Sequence, residues 1–153
     1  YIPTLVFGYL LTGSNFDDNL ASLTAGRNGY GAKLANIFST KFTVETFDAR
    51  RRRRFRQTWT NNMRDEGPAE VETVATPAQS DTQTDEASAP SPPRPQEFTC
   101  VTFHPDLSQF GMTSLLEGDF LSVAVRRALD VAACNPSLAV YLNGHRLPSS
   151  MEL

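Results

Sequence analysis

Two stretches with a two-residue period, "KFTVETFD" (41–48) and "FRQTWT" (55–60), lie on either side of a run of arginines. In the first, Phe42 and Val44 share one face, while Thr43, Glu45 and Phe47 share the other. Alternation of this kind marks strands with two unlike faces, so the pair is expected to form an antiparallel hairpin with the arginine run at its connection. The rest of the chain must either extend that sheet or lie on it.

Other segments supply both kinds of element. "FTCVTFHP" (98–105) is a third strand candidate. "LAVYLNGHRL" (138–147) is a fourth, with Asn143-Gly144 as a tight-hairpin signal. "IPTLVFGYLLTG" has Pro3 where a first helical turn tolerates it, Leu5, Val6, Tyr9 and Leu10 at helical spacing, and Gly13 as a stop. Polar "SNFDDNLASLTAGRNG" reads as a loop, after which Leu34, Ile37 and Phe38 mark an amphipathic helix starting at Gly31. "GDFLSVAVRRALDVAACN" is a helix of about four turns, ended by Asn135-Pro136.

Residues 64–97 differ in kind. They are rich in Pro, Ala, Ser and Thr and carry eight acidic residues against two arginines. With few aromatic side chains to bury, this stretch is expected to be a disordered acidic insertion. Neither flank looks able to fold alone, so the reading is one interrupted domain: 1–63 (helix, loop, helix, hairpin), 64–97 (insertion), and 98–153 (strand, helix, strand).

The chain has 153 residues, 40% of them hydrophobic and 20% charged, which suits a single domain with its own core. No apolar run approaches the roughly 18 residues of a membrane span. The sequence opens "YIPTLVFG" with neither methionine nor a basic leader region, so it reads as an internal segment of something longer. Cys100 and Cys134 have no CxxC spacing and are expected to be buried, reduced thiols. His104 and His145 lack any partner at metal-ligand spacing. The formal net charge of −3 hides a basic cluster, arginines 50–54 plus Arg56.

"TAGRNGYGAKLANIFS" (24–39) carries the sharpest chemical signal. A Walker A loop fails, because Ala32 separates Gly31 from Lys33 and Leu34 follows. The dinucleotide fingerprint fails too, since Gly26, Gly29 and Gly31 give its spacing in reverse. The ingredients of an anion site persist: glycines that let main-chain N–H groups converge, a helix start, and one lysine. A cation in the first helical turn is mildly unfavourable, and a bound polyphosphate would remove that conflict. The alternative is a plain glycine-rich turn before a helix.

"LLTGSNFDD", "GRNGYGAKLANIFSTKFTVET", "FRQTW", "VTFHPDLSQFGM" and "VYLNG", in that order, resemble the ATPase region of the eukaryotic type IIA DNA topoisomerases. The likeness covers nearly the whole chain outside the acidic insertion. It implies an α+β fold, a two-layer Bergerat-type (GHKL) ATPase sandwich of which this chain is the C-terminal part. It also implies that Gly13, Ser14 and Asn15 contact ATP, and that Gly26, Arg27, Asn28, Gly29, Tyr30, Gly31, Ala32 and Lys33 wrap its phosphates. Gly13 stands where the family often has serine.

By the same resemblance, the catalytic glutamate, the asparagine that binds Mg2+ and the adenine-reading aspartate lie upstream. A γ-phosphate lysine and the DNA-attacking tyrosine lie downstream. No catalytic or metal-binding residue is thus expected within these 153 residues, and the segment alone should hydrolyse nothing. The whole protein is expected to be a nuclear (or mitochondrial) homodimer with no membrane attachment, acting on double-stranded DNA by ATP-dependent strand passage. The competing reading is a non-catalytic nucleic-acid-binding module that uses the arginine cluster. On that reading the glycine loop is only a turn; Trp59 and Phe55 are expected to be core or sheet-face residues and not a stacking platform for bases.

Overall fold

A computed structural model describes residues 1–13, 29–75, 96–116 and 119–148. These fall into two compact units, Tyr1–Asp106 and Leu107–Leu153, each taken here by itself.

The first unit is built on the expected hairpin. Strand β1 (Ser39–Asp48) pairs antiparallel with β2 (Arg53–Thr60), with Phe42 opposite Trp59 and Val44 opposite Gln57. Two short strands, β3 (Asp65–Glu66) and β4 (Glu70–Thr73), both pair with β2. Strand β5 (Phe98–Pro105) pairs with the other edge of β1, giving the order β3-β2-β1-β5 with β4 beside β2.

Residues opposite one another in an antiparallel ladder share a face. One face therefore collects Phe42, Val44, Phe55, Gln57 and Trp59, all buried. On it lie two seven-residue helices, α1 (Ile2–Gly8) and α2 (Gly31–Ile37). Phe7 and Ala35 pack against the Phe42–Val44–Trp59 cluster, and the Phe42 ring meets Trp59 edge-on at 6.2 Å. Gly8 lets α1 come this close: a Cβ there would stand 3.1 Å from the Trp59 ring. Thr4 Oγ1 adds a bond to Gln57 Oε1 at 2.6 Å. The opposite face is mostly polar, with Thr43 and Thr58 hydroxyls 3.0 Å apart and Glu45 beside Arg54 and Arg56.

Two turns hold the sheet in register. Arg51 N–H donates to Asp48 Oδ1 at 2.8 Å, and Arg52 takes a left-handed φ of 54° at the hairpin tip. After β2, Asn61, Asn62 and Met63 are all left-handed (φ 53°, 58° and 65°). Asn62 Nδ2 donates to Ile37 O and Asp106 Oδ2, tying the end of α2 to the end of β5.

The second unit contains a 3-10 turn (Leu107–Phe110), helix α3 (Phe120–Cys134), and a hairpin of β6 (Tyr141–Leu142) with β7 (His145–Arg146). Asn143 and Gly144 both have positive φ, the geometry that an Asn-Gly turn supplies between two strands.

Five expectations change. Helix α1 ends at Gly8, before Tyr9, Leu10 and the expected stop at Gly13, because the chain turns extended at Tyr9. Within 64–97, residues 65–66 and 70–73 are strand, because β2 presents a free edge whose main-chain groups they satisfy. Residues 76–95 of that stretch lie outside the described residues. The fourth strand is reduced to two residues on each side of its turn. Cys100 and Cys134 are free but exposed, one on edge strand β5 and the other in the last turn of α3. Finally, α2 does not bury its apolar stripe: Leu34 and Phe38 are exposed, and the buried residues are Lys33 and Asn36.

Candidate phosphate site at the glycine loop

Three of the sequence-derived site residues, Gly13, Gly29 and Lys33, meet beside the polar inner side of α2. Helix α1 ends at Gly8 and the chain continues to Thr12 and Gly13. Residues 14–28, including Ser14, Asn15, Gly26, Arg27 and Asn28, lie outside the described residues. The chain is described again at Gly29, beside Gly13. A Cβ on Gly29 would stand 3.1 Å from Gly13 N and 3.3 Å from Lys33 Nζ. Gly29 also has φ +64°, a conformation that L side chains rarely adopt. The loop's two ends and its lysine thus converge on one point.

Lys33 is only 3% exposed, and its Nζ donates to Thr12 Oγ1 at 2.6 Å. Thr12 Oγ1 in turn donates to Tyr9 O at 3.3 Å. Among the described residues no carboxylate pairs with this ammonium. An ammonium has three donors, and burying it without a counter-ion is costly. Such a group attracts an anion that can approach from the loop side. Helix α2 is short, so Lys33 rather than the helix dipole supplies most of the positive field.

The other expected contacts are arranged less tightly. Tyr30 caps α2 and is exposed, Gly31 opens the helix with free space around it, and Ala32 is half-buried. One turn beyond Lys33, Asn36 is fully buried and its Nδ2 donates to Phe7 O at 3.1 Å. Its Oδ1 has no partner among the described residues. Asn36 therefore reaches from α2 to α1, and Lys33 to the stretch that follows α1. The sequence gives no local signal for Thr12; for Asn36 the signal is its spacing of three from Lys33 on a helix otherwise read by its apolar stripe.

The ammonium and the glycine main chain form a donor set for phosphate oxygens, with the Thr12 hydroxyl holding the ammonium in place. With no carboxylate among them, they make no ligand set for Mg2+. Elsewhere among the described residues no three His, Cys, Asp or Glu side chains gather as a metal site requires.

No family model matches the chain. Relatives nonetheless cover almost all of it. Pig (Sus scrofa) DNA topoisomerase 2-alpha is 46% identical over 148 residues, 97% of this chain and 8% of the relative. The human (Homo sapiens) protein of the same name is 45% identical over the same shares. Among solved structures, the ATPase and transducer domains of DNA topoisomerase II from Balamuthia mandrillaris superpose with a TM-score of 0.80 at 46% identity. That match covers 99% of this chain and 35% of the solved one. The ATPase region of Saccharomyces cerevisiae topoisomerase II, bound to ICRF-187 (dexrazoxane), gives a TM-score of 0.77 at 41% identity over 96% of this chain and 34% of that one.

The segment belongs to the eukaryotic DNA topoisomerase II family.

It aligns with the ATPase region of topoisomerase II, so the α+β, GHKL-type reading of the fold holds, with an antiparallel sheet covered by helices in the first unit. The chain spans only 8% of the length of the relatives above. Nothing in the topoisomerase II alignment favours a non-catalytic nucleic-acid module. Trp59 and Phe55 are buried, where they form sheet core and offer no stacking platform.

Proposed function

We propose that this chain supplies the phosphate-facing loop of the ATP site in a DNA topoisomerase II. The buried Lys33 ammonium, held by Thr12 beside Gly13 and Gly29, is the observation that carries the reading. In this role Lys33 meets the polyphosphate, and the loop residues Gly13, Ser14, Asn15, Gly26, Arg27, Asn28, Gly29, Tyr30, Gly31 and Ala32 close around it. The contribution is electrostatic stabilisation by groups already in place, not proton transfer. The general base and the ligands of Mg2+ belong to other parts of the protein, so the segment alone binds phosphate without hydrolysing ATP.

The whole protein is then an ATP-hydrolysing isomerase. It works as a homodimeric clamp in the nucleus, or in a mitochondrial DNA compartment, and passes one DNA duplex through a transient break in another. ATP shifts the open–closed equilibrium because more groups reach its phosphates in the closed state. The relatives' DNA topoisomerase names and the ATPase region of the solved structures support this reading. Its test is Lys33→Ala in the complete protein. The expected result is a fall in kcat/KM for ATP hydrolysis and in strand passage, with DNA affinity unchanged when nucleotide is absent. Unaltered ATP turnover refutes it.

A further inference from the structure

The arginine cluster is not one surface but two. Arg54 and Arg56 lie on the polar sheet face, where both reach Glu45 at 3.5 and 3.4 Å. The ladder also sets them opposite Glu72 and Glu70 of β4, so their charge is locally compensated. At the tip the arrangement differs. Arg51 pairs with Asp48 at 2.9 Å, and Arg52 Nε donates to Val74 O at 3.1 Å. These two bonds fix the turn. Arg50 and Arg53 flank it, both exposed; the ladder sets Arg53 opposite Asp48, a carboxylate already held by Arg51, and neither guanidinium has a hydrogen-bond or ion-pair partner among the described residues.

Beside them lies an open recess of about 570 Å³, walled by the Phe47 and Phe98 rings, which stack with centroids 6.3 Å apart. Two carboxylates also line this recess, and both are engaged: Asp48 by Arg51, and Glu97 Oε1 by Ala49 N–H at 3.2 Å. Guanidinium groups with no side-chain partner among the described residues, on a turn held rigid by their neighbours, match phosphodiester oxygens, which accept paired N–H donors.

We propose that the tip of the β1–β2 hairpin contacts the phosphate backbone of double-stranded DNA through Arg50 and Arg53, while Arg54 and Arg56 serve only the sheet. The inference rests on the reading that the complete protein acts on DNA, and it adds a contact surface separate from the nucleotide loop.

The test uses the complete protein and a duplex of about 30 base pairs of random sequence, with affinity followed across salt concentrations. Arg50→Gln with Arg53→Gln should reduce the slope of log affinity against log salt by about 2, near 0.9 for each lost phosphate contact. ATP turnover without DNA should stay at the unsubstituted level. Arg54→Gln with Arg56→Gln removes the same formal charge and should leave the slope nearly unchanged. An unchanged slope for the Arg50/Arg53 pair, with ATP turnover intact, overturns the proposal but leaves the functional reading standing; an acidic protein partner at the tip would give this result. Equal loss from both pairs also overturns it, since the effect would then be a diffuse field. Absence of both ATP turnover and DNA binding in the unsubstituted protein overturns the functional reading and this inference together.

Discussion

Lys33 Nζ and Thr12 Oγ1 meet at 2.6 Å although 21 residues separate them in sequence, and the lysine is 3% exposed. This contact closes the base of the loop and leaves a buried positive charge satisfied by a single hydroxyl among the described residues. It has opposite consequences for stability and for binding. Removing an undercompensated buried charge in favour of an apolar group of similar volume is often neutral or stabilising. Lys33→Met should therefore leave the thermal midpoint of the nucleotide-free protein unchanged or raised, as read by calorimetry. A drop of several degrees would show that the charge already has its counter-ion.

Gly29 tests the loop by shape instead of charge. Gly29→Ala places a methyl group 3.1 Å from Gly13 N at a φ of +64°. The backbone cost is about 1–2 kcal/mol for a left-handed L residue, before any steric displacement of Gly13. The expected outcome is weakened ATP-analogue binding by titration calorimetry, with a small loss in urea midpoint. Gly31→Ala meets nothing within 4 Å and should be mild by both measures.

The sequence showed these elements unevenly. Strands β1 and β5 and the start of α2 are legible because alternation and a glycine helix start are local properties of Phe42, Val44, Phe103 and Gly31. Strands β3 and β4 are not, since Glu70 and Glu72 carry no strand signal of their own and depend on the edge that β2 offers. The inner side of α2 departs from its sequence pattern for a related reason. Periodicity ranks Leu34, Ile37 and Phe38 as core, yet Lys33 and Asn36 are buried, reaching Thr12 and the Phe7 carbonyl of α1. A site that must bury polar groups breaks the pattern used to find cores. Gly29 and Lys33 were legible as chemistry, whereas their meeting with Gly13 required the fold.

The core prediction is simple. Phe42 is 1% exposed and touches Phe7, Trp59 and Phe103 at ring separations of 6.0, 6.2 and 6.4 Å. Phe42→Ala should cost about 3–5 kcal/mol, from lost transfer energy and the cavity left behind. Urea unfolding measures it, and a cost under about 1 kcal/mol would contradict this packing.

Asn62 joins α2 to β5 through Ile37 O at 3.0 Å and Asp106 Oδ2 at 3.1 Å, at a left-handed φ of 58°. Asn62→Leu loses both bonds and puts a disfavoured residue in that conformation, for a cost of about 2–3 kcal/mol. Hydrogen exchange at the end of α2 should quicken in the same variant. Exchange that accelerates only elsewhere would contradict the link.

The hairpin tip should respond to acid. Arg51 holds the Asp48 carboxyl below its ordinary value of 3.8, first through its main-chain N–H and then through its guanidinium. A lowered folded pKa means the contribution is present above the unfolded value and is lost as pH falls through the folded one. Carboxyl NMR titration should place Asp48 below 3.8, and Asp48→Asn should remove the tip's response in that acidic window. A titration midpoint at or above the ordinary value would contradict the turn geometry.

The most direct measurement compares the affinities of ATP and of adenosine for the complete protein before and after Lys33→Met. A lysine that meets the phosphates predicts roughly 10-fold to 100-fold weaker ATP binding, the loss of a charge-assisted bond of about 1.5–3 kcal/mol, with adenosine affinity unchanged. Equal losses for both ligands, or none for ATP, would contradict the claim that this buried ammonium serves the phosphate chain.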